Sequence, residues 1–308
     1  MKKFFLVFFI VIGISLLYSE DVRYKPYVLA GIEKGEMNDA VTKVENLLTE
    51  NGFEILGKYS PLQDKNRVVI CITNEVLKKT AGKFLNKYGG LLAYAAVTRF
   101  ALYKENDNIE VSYRNPIYWG NAYFQKDFPA VEKDYITLNF KMVEMCKGLS
   151  EVKNAPYGSK KGLTAKKLWK YRFGIFMPYF DDVVTYAKKT NYDEILKKID
   201  ENFPKSSRAD KVFSLSFPDK KLTLIGVGEP DEKGEPYFLP KLDKKYPKQD
   251  AFLPWEILVM KDKVVAFNGK YFMALAYPDA GMGTFMKIRK GGAYNKTIFN
   301  SLIVGEKK

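Results

Sequence analysis

Ala96-Val97-Thr98-Arg99-Phe100-Ala101-Leu102-Tyr103, the polar corner Glu105-Asn106-Asp107-Asn108, and Ile109-Glu110-Val111-Ser112-Tyr113 form the stretch that decides the fold. Two runs rich in β-branched and aromatic residues flank a short turn of Asn and Asp, the pattern of an antiparallel hairpin. The pattern recurs far downstream, where residues 253–260 and 264–267 are apolar runs around Lys261-Asp262-Lys263. Laid strand on strand, Arg99-Phe100-Ala101-Leu102-Tyr103-Lys104 matches Glu256-Ile257-Leu258-Val259-Met260-Lys261.

Outward from the first hairpin, residues 37–51 carry Val41, Val44, Leu47 and Leu48 on one helical stripe, with Gly52 as the stop. Strands are expected at 53–59 and 67–73. Asn74 then caps a helix over 75–88 that closes on Gly89-Gly90. Around the second hairpin a helix is expected at 192–203 and strands at 211–217 and 222–227. Residues 228–252 read as a loop of 25 residues with four prolines and eleven charges. Asn268-Gly269 suits a type I′ turn into a strand at 271–276, and a last strand is expected at 297–304. The fold class is therefore α+β: two related units of mostly antiparallel sheet backed by helices, in the order an internal duplication would leave. The expected division is 20–125 for the first unit, 126–190 for a helical basic connector that opens on a long helix at 129–149, and 191–308 for the second unit.

The first nineteen residues are of another kind. Lys2 and Lys3 precede an apolar run over 4–18, too short at about 22 Å of helix to cross a membrane of roughly 30 Å. Ser19 offers a cleavage point and Gly13-Ile14-Ser15 another. The reading is a signal peptide and a periplasmic or secreted chain, with membrane contact only if the leader stays uncleaved. Export makes nucleic acid an unexpected partner for a net charge of +14, and points to an anionic surface or a small molecule instead. Half of that charge lies between Lys147 and Arg172, where eight basic residues meet one acid, Glu151. A homodimer is left open, and no cofactor is called for.

Composition limits the chemistry. The chain has no histidine and two cysteines, which excludes Ser-His and Cys-His nucleophile pairs, His-ligated metals and a four-thiolate zinc site. Cys71 and Cys146 are either a disulfide in an oxidising compartment or two buried thiols.

The stretch 41–118 resembles the DUF302 family of small bacterial α/β domains. The resemblance rests on the helix end Glu50-Asn51-Gly52-Phe53, the strand-to-helix run 68–79, and the hairpin 98–113 followed by Asn115-Pro116-Ile117-Tyr118. Residues 170–182, 253–259 and 277–288 look like the longer exported members. This chain departs from them in having no histidine near Arg172 or beyond the hairpin. The resemblance implies an antiparallel sheet backed by helices and no established activity.

Candidate binding residues are Arg99, Tyr113, Asn115, Tyr118, Trp119, Tyr179, Trp255 and Glu256. Tyr113, Tyr118, Trp119 and Tyr123 cluster with amides after the hairpin, as a stacking surface for a flat ligand would, or as packing where a strand meets a helix. Arg99 and Glu256 are charges in apolar strands. Alternation toward solvent is their simpler reading, and a meeting across paired units the other. Asp181-Asp182 fits a helix start. Gly281-Met282-Gly283-Thr284 fits a turn, because it lacks the phosphate-loop frame. Met282 and Met286 are two soft sulfurs without a third. Ser150-Glu151-Val152-Lys153 matches S-x-x-K by chance expectation alone. No residue is assigned to catalysis or a metal. A non-catalytic exported binding module for a small molecule or an anionic partner leads. An enzyme using Glu256, Asp181, Asp182 or Asp279, and a structural envelope protein, are the alternatives.

Overall fold

Val69, Ile70, Cys71 and Ile72 are wholly buried and lie one strand in from a sheet edge. In the computed structural model, which describes residues 22–175 and 177–305, they belong to β4. The expected leader at 1–19 lies outside the described residues.

The first sheet contains β2 (Tyr27–Lys34), β3 (Glu54–Tyr59), β4 (Arg67–Thr73), β5 (Thr98–Glu105), β6 (Asn108–Arg114) and β7 (Glu151–Tyr157). Its order is β3-β4-β5-β6-β2-β7, antiparallel throughout. Its helices are α1 (Met37–Glu50), α2 (Glu75–Phe84), α3 (Pro116–Phe124) and α4 (Glu132–Met145). The second sheet contains β9 (Val184–Lys188), β10 (Asp210–Phe217), β11 (Leu222–Gly228), β12 (Trp255–Val259) and β13 (Lys263–Ala266), ordered β10-β11-β12-β13-β9. Its helices are α6 (Tyr192–Asn202), α7 (Glu235–Leu242), α8 (Gly269–Ala276) and α9 (Met282–Val304). Between the units, β1 (Arg23–Tyr24) pairs with β8 (Leu163–Thr164), which leads into the short α5 (Ala165–Trp169). The class is α+β, antiparallel sheets backed by helices.

Both units run strand, helix, two strands, helix, hairpin, two helices, and their five shared strands lie in the same order. The register makes the match residue by residue. Arg99 faces Cys71, the fifth residue of β4, and Glu256 faces Gly226, the fifth of β11. Each hairpin ends in an asparagine that caps the next helix: Asn115 Oδ1 accepts from the Ile117 amide at 3.0 Å, and Asn268 Oδ1 from the Lys270 amide at 3.1 Å.

Several expectations are corrected. Each unit opens with a strand, β2 or β9, that closes its sheet beside the hairpin. The segment 126–190 contributes strand as well as helix, because β7 pairs along β2 and β9 along β13. A bulge in β2 allows this at Gly31, whose missing Cβ would sit 2.3 Å from the Glu151 carbonyl oxygen. Asn268-Gly269 is a helix cap and not a β-turn, and 271–276 is helix because every side chain there is buried. Residues 297–304 are the last turns of α9. The loop 228–252 holds α7. Asp181 and Asp182 precede β9 and not a helix: Val183-Val184-Thr185-Tyr186 favours extended chain, and Asp182 Oδ2 accepts from the Tyr179 amide at 2.9 Å. Cys71 and Cys146 are free, buried thiols. No helix among the described residues is long and apolar enough to cross a membrane.

Three of the contacts that hold the units together lie outside the cavity described below. Sheet edges β3 and β10 abut so closely that a Cβ on Gly57 would lie 1.9 Å from the Val212 carbonyl oxygen. The strap 228–252 crosses onto the first unit, where Arg114 donates to the Ala251 and Phe252 carbonyls at 2.8 and 2.7 Å. Finally, Tyr118 donates its hydroxyl to the Leu275 carbonyl at 2.7 Å.

Candidate functional site

Where β13 turns into α8, the second unit is hollow. A cavity of about 650 Å³ opens between that corner, β9 and the long helix α9. Trp255, Phe267, Phe272 and Phe299 form its aromatic walls, and Tyr94 of the first unit reaches in to stack on Phe267 with ring centroids 3.9 Å apart. Met282 and Met286, four residues apart on one face of α9, stand at the mouth more than half exposed. Met177 and Met273 line the wall with them. Flexible thioethers and flat rings make an apolar surface that adapts to shape. Lys270 and Lys296, both exposed, are the basic groups of the lining.

The inner end carries the carboxylate of Glu256. Arg99 Nη2 lies 2.6 Å from Glu256 Oε1, with the two side chains 0% and 2% exposed. The simpler sequence reading, that both charges face solvent, is overturned: two topologically equivalent strand positions meet across the units. Burial alone would lower the Arg99 pKa, but the Glu256 carboxylate, with Cys71 and Tyr123 adding to it, holds the pKa above its usual value. Burial raises the Cys71 thiol beside them to about 12, against the opposing pull of Arg99. The thiol is thus neutral. A charge pair this dry is costly to break, since either partner alone would be an uncompensated buried ion.

The equivalent space in the first unit is filled. It amounts to about 20 Å³ beside Trp119, Gly120 and Tyr135. Gly120 lets α3 settle on its neighbours, because a Cβ there would come within 2.6 Å of Phe128 and 2.7 Å of Tyr135.

No protein-family model matches the chain, and no curated protein does. A solved structure is similar: the crystal structure of an uncharacterized conserved protein DUF302 from Bacillus stearothermophilus. It is 19% identical, covers 40% of this chain and 96% of its own, and superposes with a TM-score of 0.32. Its description names no activity.

Two of the eight candidate residues, Trp255 and Glu256, line the large cavity, and Arg99 holds the second of them. The aromatic cluster after the first hairpin does not. Tyr113 packs on Phe100, Trp119 donates to the Pro26 carbonyl at 2.8 Å, and Arg114 stacks over the Trp119 ring at 4.3 Å. Asn115 is consumed as a helix cap that also donates to the Lys25 carbonyl. These side chains are core and offer no face for stacking. Tyr179 is exposed and covered on one face by Arg172, 4.6 Å from its ring centroid. The four candidate acids do not converge: Asp181 and Asp182 are exposed, and Asp279 accepts from Ser159 Oγ at 2.9 Å, away from Glu256. Ser150 donates to Glu33 and Lys153 pairs with Glu151, so the S-x-x-K match makes no catalytic pair.

Phe267, Asn268, Phe272 and Met273 line the cavity and were not among the candidate residues of the sequence. The signal was present. With Tyr113 set against Ala266, two residues further on Asn115 falls against Asn268, and six further on Trp119 falls against Phe272.

The strongly shifted carboxyls lie elsewhere, on the strap. Glu235 accepts from Tyr59 Oη at 3.0 Å, and burial lifts its pKa to about 7. Burial raises Glu229 well above the carboxylate range, with Glu235 adding to the effect. Asp243 and Asp250 both face Arg67, at 3.4 and 2.6 Å. Burial still raises Asp243 to about 7, with Asp250 adding to it. None of these four lines the cavity. Glu235, Asp243 and Asp250 fasten the strap to the first unit through Tyr59, Leu62 and Arg67.

Proposed function

We propose that this protein is a non-catalytic binding module whose second unit takes up a small molecule with an apolar, partly aromatic body. The observation that carries this reading is the hollow corner of the second unit. A cavity of about 650 Å³ with methionine and aromatic walls falls in the range of small-molecule sites. Its polar groups are few and placed at the ends, as groups that orient a ligand are: Glu256 inside, Lys270 and Lys296 in the lining. An acidic or neutral polar head suits the lysines, and a hydrogen-bond donor suits Glu256. The enzyme reading is disfavoured because the shifted carboxyls sit away from this cavity, in the strap. Export through the leader at 1–19 is part of the proposal, and would expose the site to ligands of the periplasm or medium.

The test is a titration with the apolar fluorophore 1-anilinonaphthalene-8-sulfonate on wild-type protein and on the Met282→Asp/Met286→Asp variant. Both methionines are more than half exposed, so the variant leaves the core intact. The expected result is saturable enhancement for the wild type and at least roughly tenfold weaker binding for the variant, since about 1.4 kcal/mol corresponds to a factor of ten. Equal binding by both proteins, or none by either, would overturn the reading.

A further inference from the structure

We infer a second binding site, for a phosphate-bearing anion of two or more negative charges, in a separate groove of about 390 Å³ on the other side of the turn that leads into α9. Four segments build it: the link between β1 and β2, the end of β7 with the corner after it, the strap at 241–249, and the turn between α8 and α9. Five lysines line it, Lys25, Lys160, Lys241, Lys244 and Lys245, against one acid, Asp279. Asp279 is already engaged with Ser159 Oγ and the Lys160 amide, so it pins the corner and does not answer the lysines. Lys241 rests its ammonium over the Tyr237 ring and donates to the Tyr237 carbonyl, while Lys160, Lys244 and Lys245 are exposed.

A patch of surface lysines is an everyday feature. This one is a concave site, and its wall holds a polar group out of balance. Tyr277 is 4% exposed, lines the groove, and its hydroxyl has no hydrogen-bond partner. A buried donor left unpaired costs about 1–3 kcal/mol, which a ligand oxygen would recover once the ring tilts to bring the enclosed hydroxyl to the groove. Lysine ammoniums serve non-bridging phosphate oxygens as point charges, and the surplus of positive charge calls for a ligand with more than one negative charge. The groove also joins the basic connector to the strap, so the charge concentrated at 147–172 has a neighbour in the fold.

The experiment is calorimetric titration of the full chain with pyrophosphate at low salt. The wild type is expected to bind, and added salt to weaken binding, as screening requires. Lys160→Glu/Lys245→Glu is expected to lose at least tenfold in affinity. Lys205→Glu/Lys220→Glu, which reverses two exposed lysines outside the groove, is expected to change it less than twofold. Tyr277→Phe separates the site from general charge: it keeps every lysine, removes only an unpaired hydroxyl, and is expected to bind several-fold more weakly with stability unchanged or raised. A glycerol phosphate oligomer used alongside tells the sources apart. Tighter pyrophosphate binding assigns a free phosphorylated molecule, tighter oligomer binding assigns a phosphodiester polymer, and either supports the site. No binding, or equal losses in both double variants, would overturn it.

Discussion

The two units share a topology and differ in what lies behind their second hairpin. In the first, Gly120 lets α3 pack down on Phe128 and Tyr135, and the corner is solid. In the second, Met273 takes the place that Gly120 holds in the hairpin match, α9 crosses the corner, and a cavity remains. The units divide the electrostatics as well. The first supplies Arg99 and the second Glu256 from matching positions, so neither charge is satisfied without the other unit. One topology, present twice, gives one filled and one hollow corner, with the difference carried by a few side chains after each hairpin.

The comparison breaks most visibly at the ion pair. Glu256→Ala leaves Arg99 charged and buried, and is expected to cost about 3–5 kcal/mol in urea unfolding. Arg99→Met combined with Glu256→Leu should recover most of that loss. A single substitution that costs under about 1 kcal/mol would mean the units are not joined there.

A smaller effect tests the strap. The folded pKa of Glu235 stands at about 7, above its ordinary value of 4.5, so the folded state holds the proton more tightly than the unfolded chain. Its stabilising contribution is therefore complete below about pH 4.5 and is lost as the pH rises through 7, by up to about 3 kcal/mol. Unfolding midpoints followed over this window should fall with pH, and Glu235→Gln should flatten the slope. A slope unchanged in that variant would assign the pH dependence to other groups.

The smallest effect compares two glycines. Gly120→Ala forces a Cβ against Phe128 and Tyr135 and is expected to cost about 1–3 kcal/mol. Gly269→Ala meets only Trp255 and Met273 at 3.8 and 3.9 Å, ordinary contact, and is expected to change stability by less than about 0.5 kcal/mol. Equal costs would remove the distinction between a filled and a hollow corner.

Much of this architecture was legible in the sequence. The hairpins, β4, α1 and α6 follow from alternation and helical spacing, which local patterns report well. The match of Arg99 to Glu256 was also readable, although their contact was one of two open readings, because depth is set by how whole sheets meet. β2 and β9 escaped notice because they pair with strands far along the chain. The cavity was hidden by one local ambiguity: Asn268-Gly269 suits a turn and a helix cap equally, and only the burial of 271–276 from all sides decides it. The cluster at Tyr113, Tyr118 and Trp119 looked like a site because aromatic residues with amides look alike whether they face a ligand or a neighbouring helix.

Anomalous diffraction from crystals soaked in iodobenzene decides whether the second unit is hollow where the first is filled. An iodine peak is expected between Phe267, Phe272 and Phe299 in the second unit, and none beside Trp119 in the first. An empty second-unit cavity, or equal occupancy of both corners, would contradict it.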